Sequence, residues 1–79
     1  MKENKINIYK NMQAFAKHLK SERLAKGYSQ KDMADCLGIK PQSYQAYQTG
    51  LSYPTCENLI KLAIILDVSI DQLFEMSTV

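Results

Sequence analysis

The chain is 79 residues long, enough for one small core and too short for a second. Apolar residues make up 46% and charged residues 23%, a balance that suits a folded globule and excludes a disordered tail. The net charge of +2 is too small to hold nucleic acid by bulk charge, so any such affinity must come from where the charges sit.

No apolar run approaches the length of a membrane span, so no membrane association is expected. The opening residues, MKENKINIYK, are too polar for a secretory signal peptide, and cytoplasmic residence is the simple expectation. Cys36 and Cys56 lie twenty apart, with His18 as the one further soft ligand and no Cys-x-x-Cys pair. That pattern does not make a structural zinc site, and a cytosolic setting disfavours a disulfide, so both are read as ordinary thiols. No metal and no cofactor is expected.

Residues 1–10 carry Lys2, Lys5 and Lys10 among polar residues and read as an N-terminal arm. From about residue 11 to 26 the pattern is helical. Met12, Phe15, Ala16 and Leu19 fall at i, i+3, i+4 and i+7 and form one apolar stripe. Lys17, Lys20, Arg23 and Lys26 lie mostly off that stripe, and Gly27 ends the helix. His18, flanked by charges, is expected to be exposed and non-catalytic.

The stretch SQKDMADCLGIKPQSYQAYQTG, residues 29–50, reads as two short helices around a tight turn. Ser29 caps the first, with Asp32 three residues on. Met33, Ala34 and Leu37 give it an apolar face, and Gly38 supplies the left-handed residue that stops it. Ile39 follows as an apolar plug, and Pro41 opens the second helix, where its missing N–H costs nothing.

In that second helix Tyr44 and Tyr47 point one way, towards a core. Gln42, Ser43, Gln45 and Ala46 occupy the other side and carry no charge. A merely solvated face is more often built from Lys and Glu. Amides are the side chains that bind an adenine edge with two hydrogen bonds. On these residues alone, solvation and base reading stand about equal.

Further on, Thr55 caps a fourth helix with Glu57 near its positive end. Leu59, Leu62, Ala63 and Leu66 make its inward face, and Ile60, Ile64 and Ile65 add apolar surface elsewhere. Ser69 and Gln72 form a capping box for a last short helix, from residue 70 to about 76, with Leu73 and Phe74 turned inward. No Gly-rich phosphate loop, nucleophile elbow or paired catalytic carboxylates appear, so an enzyme is not expected.

Residues 29–50, together with Pro54-Thr55, the run LIKLA at residues 59–63 and LDVSIDQLF at residues 66–74, resemble the Cro and phage-repressor (XRE) helix-turn-helix family. The resemblance covers roughly residues 19–74. It implies an all-α, compact five-helix bundle of the lambda-repressor-like type: a single domain over residues 1–79, with the arm at 1–10 and the helical core at 11–76. It further implies sequence-specific binding of double-stranded DNA and regulation of transcription, as a repressor, with helix 41–48 in the major groove.

Within that frame Gln42 is the leading candidate for base contact, supported by Lys40, Gln45 and Ala46. Gln30, at the start of the preceding helix, is expected to meet a phosphate, as are Ser43, Tyr53 and Arg23. Ile60, Ile64 and Met76 are expected at a homodimer contact.

The chain departs from the family pattern in three places. The family pairs the Arg23 position with a glutamate where this chain has Gln48, so no ion pair can form there and a hydrogen bond is what remains open. The loop at residues 50–54 offers Ser52 and Tyr53 hydroxyls where basic residues are common. Lys40 stands where a capping Ser or Thr is usual, but puts a positive charge beside the helix start. The first two of these departures lend weight to the alternative of a protein-interaction module, such as an antitoxin or another regulator with a protein partner, for which DNA is secondary.

Overall fold

The structure is a computed structural model and describes residues 8–74. Those residues form α1 (Ile8–Lys26), α2 (Gln30–Leu37), α3 (Pro41–Gln48), α4 (Cys56–Leu66) and α5 (Ile70–Phe74). The all-α, five-helix expectation holds.

One boundary differs from the sequence reading. Helix α1 begins at Ile8, so the last three residues of the expected arm are helical. The apolar stripe starts at Met12, but a helix propagates until something breaks it, and residues 8–10 contain neither glycine nor proline. At the other end, Met76 and the expected close of the last helix lie outside the described residues.

The caps are where the side chains place them. Ser29 Oγ accepts from Asp32 N at 3.0 Å, while Asp32 Oδ2 accepts from Ser29 N at 2.9 Å, which completes a capping box on α2. Gly38 closes that helix at φ +70°, a left-handed conformation that costs glycine nothing. Thr55 Oγ1 accepts from Asn58 N at 3.1 Å at the start of α4. Ser69 and Gln72 make a second reciprocal pair ahead of α5, at 2.7 and 3.2 Å. Asp67 ends α4 at φ 55°, the one left-handed non-glycine among the described residues.

The core gathers Phe15 and Leu19 from α1, Met33, Ala34 and Leu37 from α2, Tyr44 and Tyr47 from α3, Leu62 and Leu66 from α4, and Leu73 from α5. Each short helix therefore buries the apolar side that its spacing defines, and none could hide that side alone. Ile39 plugs the turn between α2 and α3 against this core. Phe74 stacks on Phe15 at 5.0 Å, and Tyr53 meets both rings, edge-on to Phe15 at 5.7 Å and tilted to Phe74 at 5.9 Å. That cluster ties the loop after α3 to the two ends of the fold.

Arg23 does not behave as its place beside Lys20 and Lys26 suggested. It is buried, with 6% of its surface exposed. Its Nε donates to Gln48 Oε1 at 3.2 Å, and its Nη1 donates to the Tyr28 carbonyl at 2.8 Å. The Tyr44 hydroxyl donates to the same Gln48 oxygen at 2.9 Å, and Gln48 Nε2 donates to the Ala16 carbonyl at 2.9 Å. An amide thus does what a carboxylate cannot, accepting from two groups while donating to a third. The network locks α3 onto α1.

Candidate nucleic-acid interface

Helices α2 and α3 pack on each other through a short turn, and α3 presents its far side to solvent. Tyr44 and Tyr47 face inward, at 0% and 8% exposure, with their rings edge-to-face at 6.2 Å. The Tyr47 hydroxyl accepts from Asn58 Nδ2 at 3.2 Å, which fastens α3 to α4 as well. Burial pushes the Tyr44 hydroxyl up to about 12, against the opposing pull of Arg23, so the ring stays neutral and keeps its proton for Gln48. Both tyrosines are structural, as the spacing implied.

Gln42, Ser43 and Gln45 are exposed on the opposite side, with Ala46 half-buried between them. Gln42, Gln45, Ala46, Thr49 and Leu51 line one shallow concavity. Four of these fall at i, i+3, i+4 and i+7, the spacing of a single helix face. The sequence reading stopped at Ala46 and missed Thr49 and Leu51, although Thr49 completes that spacing. Thr49 Oγ1 donates to the Ala46 carbonyl at 3.4 Å, and Leu51 N donates to the same oxygen at 2.9 Å.

Lys40 is exposed at the start of α3 and makes no side-chain cap, so its ammonium extends into solvent beside the amide face. Gln30 is exposed at the first position of α2. A helix N-terminus attracts anions through its unpaired N–H groups. Here the Asp32 carboxylate already occupies that end, held below the ordinary carboxyl range by the Ser29 backbone N–H and then by the Ser29 hydroxyl. A phosphate would meet the Gln30 side chain more readily than the backbone.

The remaining candidates divide. The Tyr53 ring belongs to the aromatic cluster, and burial raises its hydroxyl above the ordinary tyrosine range, so a contact there would be made by a ring already fixed in place. The expected phosphate contact of Arg23 is withdrawn, because its guanidinium is buried and committed to Gln48 and Tyr28. Ile60 and Ile64 are 48% and 72% exposed on α4. Cys36 and Cys56 are exposed free thiols.

A second concavity, lined by His18, Glu22, Asp71 and Gln72, lies between α1 and α5. Its two carboxylates repel phosphate, and His18 is half-buried there and less exposed than its charged neighbours suggested. No group of three or more metal-binding side chains occurs among the described residues.

This frame of two short helices, with a hydrogen-bonding face on the second, is that of a helix-turn-helix protein. The helix-turn-helix family model matches residues 19–73, and the chain belongs to that family. It is 48% identical over 61 residues to the SPbeta prophage-derived HTH-type transcriptional regulator YonR of Bacillus subtilis, a match covering 77% of this chain and 56% of that protein. It is 46% identical over 55 residues to the cryptic phage CTXphi transcriptional repressor RstR of Vibrio cholerae, covering 70% of this chain and 49% of RstR. The chain spans about half the length of the curated relatives it matches. In three dimensions it resembles the restriction-modification controller protein C.AhdI from Aeromonas hydrophila, with a TM-score of 0.76 at 30% identity over 84% of this chain and all of that one.

Proposed function

We propose that this chain binds double-stranded DNA sequence-specifically and thereby regulates transcription, as a repressor. The observation that carries the reading is the outward face of α3, uncharged and amide-bearing, on a helix locked by Tyr44, Tyr47 and Gln48. A rigid helix is what base reading needs, because a side chain can only select a base if its backbone holds register. Residues 1–79 act as one binding domain in this reading, cytoplasmic and without catalytic chemistry.

In the groove, Gln42 forms the bidentate contact to an adenine edge, with Gln45 and Ala46 beside it and Lys40 reaching a guanine edge or a phosphate. Gln30, Ser43 and Tyr53 add neutral contacts that set the register on the backbone. One short helix reads too few base pairs to select a genomic site, so two copies act as a symmetric pair. Ile60 and Ile64 supply the apolar contact between them. The relatives named as transcriptional regulators and a repressor support the same reading.

A salt titration of binding to duplex DNA tests it. Affinity falls linearly on a log–log plot as salt rises, because phosphate contacts release counterions. Binding indifferent to salt would overturn the proposal and leave the fold as a module for protein partners.

A further inference from the structure

We propose that Leu51, with Ala46, reads the 5-methyl group of a thymine, so that the concavity on α3 selects an A·T pair by both of its bases. The inference rests on the DNA-binding reading and names what this part of the surface recognises.

Leu51 is 78% exposed, the most exposed of the large apolar side chains among the described residues. It is not on a loose loop. Its backbone N–H returns to the Ala46 carbonyl at 2.9 Å, and Ser52 N reaches the same oxygen at 3.3 Å. The preceding Gly50 turns the chain at φ +80° against α1, where an added methyl group would stand 2.8 Å from Gln13 Nε2 and 3.5 Å from the Met12 carbonyl. The leucine is therefore held beside the last turn of α3, on the rim of the concavity that also contains Gln42, Gln45, Ala46 and Thr49.

No charged side chain is among these lining residues. The amides offer a donor and an acceptor together, which matches the N6 and N7 edge of adenine. Leucine offers neither, and it cannot hold a phosphate. In the major groove the apolar feature that separates one base from another is the thymine methyl at C5, where cytosine carries only a hydrogen beside its C4 amino donor. Amides and an apolar rim in one concavity are thus complementary to adenine and its thymine partner.

Replacing thymine by 2′-deoxyuridine removes that methyl and leaves every hydrogen-bonding atom of the edge unchanged. The test measures affinity for a duplex selected by the protein, with each thymine in turn replaced by deoxyuridine, for the wild type, Leu51→Ala and Leu51→Met. The wild type should bind about fourfold more weakly when one particular thymine in each half-site loses its methyl. Leu51→Ala should no longer distinguish thymine from uracil at that position, and Leu51→Met, which keeps an apolar side chain, should still do so. Uracil tolerated everywhere by the wild type, or full sensitivity retained in Leu51→Ala, would overturn the inference while DNA binding stands. Failure of the wild type to select any duplex would overturn it together with the reading beneath it.

Discussion

Arg23 joins α1, α3 and the turn after α1, and Gln48 is what makes its burial tolerable. Replacing Gln48 by Leu takes the acceptor from two groups at once, the Arg23 Nε–H and the Tyr44 hydroxyl, while the Ala16 carbonyl keeps only its helical bond. Stranded buried polar groups cost about 1–3 kcal/mol each, so Gln48→Leu should lose on the order of 3–5 kcal/mol in a urea melt. Gln48→Glu exchanges the Ala16 bond for an ion pair and should cost much less; equal losses would discredit the network. Tyr44 adds a pH signature. Its ionisation is raised to about 12 in the fold, against about 10 for an ordinary tyrosine. Its contribution is therefore complete below pH 10 and lost as pH climbs through 12. Chemical denaturation across that window should show falling stability, with a shallower slope in Tyr44→Phe. At the DNA face, Gln42→Ala should leave the fold intact, because the side chain is exposed, and cost about 1–3 kcal/mol of discrimination at one base pair. A loss spread equally over all sequences would move Gln42 to the phosphates.

The helices show why some features are legible in a sequence and others are not. Caps are local: Ser29 with Asp32 and Ser69 with Gln72 lie three residues apart, and each formed the bonds that their spacing specifies. Apolar stripes are local too, and Phe15, Leu19, Met33, Leu37, Leu62 and Leu66 are buried as their periods require. The family pattern set Gln48 opposite Arg23, and that hydrogen bond forms. Charge alone argued for a phosphate contact, because nothing local in the sequence announces the Tyr28 carbonyl or the burial. Leu51 was missed because helical period says nothing of a residue beyond the helix, and only the turn at Gly50 brings it back beside Ala46. The capping box on α2 carries its own prediction. Ser29→Ala should cost about 1 kcal/mol, read as a lower denaturation midpoint. The Asp32 carboxyl is held below its ordinary range by Ser29, so its part of that stability is present above pH 4 and fades as pH falls. A Ser29→Ala midpoint equal to the wild type at pH 7 would contradict this.

At the scale of the molecule, α4 leaves Ile64 at 72% and Ile60 at 48% exposure, while Leu62 and Leu66 on the same helix are fully buried. A second copy of the chain would cover that second apolar side in the proposed pair. Light scattering should find a dimer at micromolar concentration for the wild type and a monomer for Ile64→Glu. A dimer that survives that charge would place the contact elsewhere. The family and the five-helix architecture were legible because cap, stripe, turn and cap recur in fixed order along the chain. The use of the α3 face is the part that rests on geometry. Selection of bound duplexes from a random DNA pool tests that use most directly. The wild type should enrich a two-fold symmetric site whose half-sites lie about 34 Å apart, and Gln42→Ala should relax one base pair in each half. A pool that emerges as random as it began would contradict sequence-specific binding by α3.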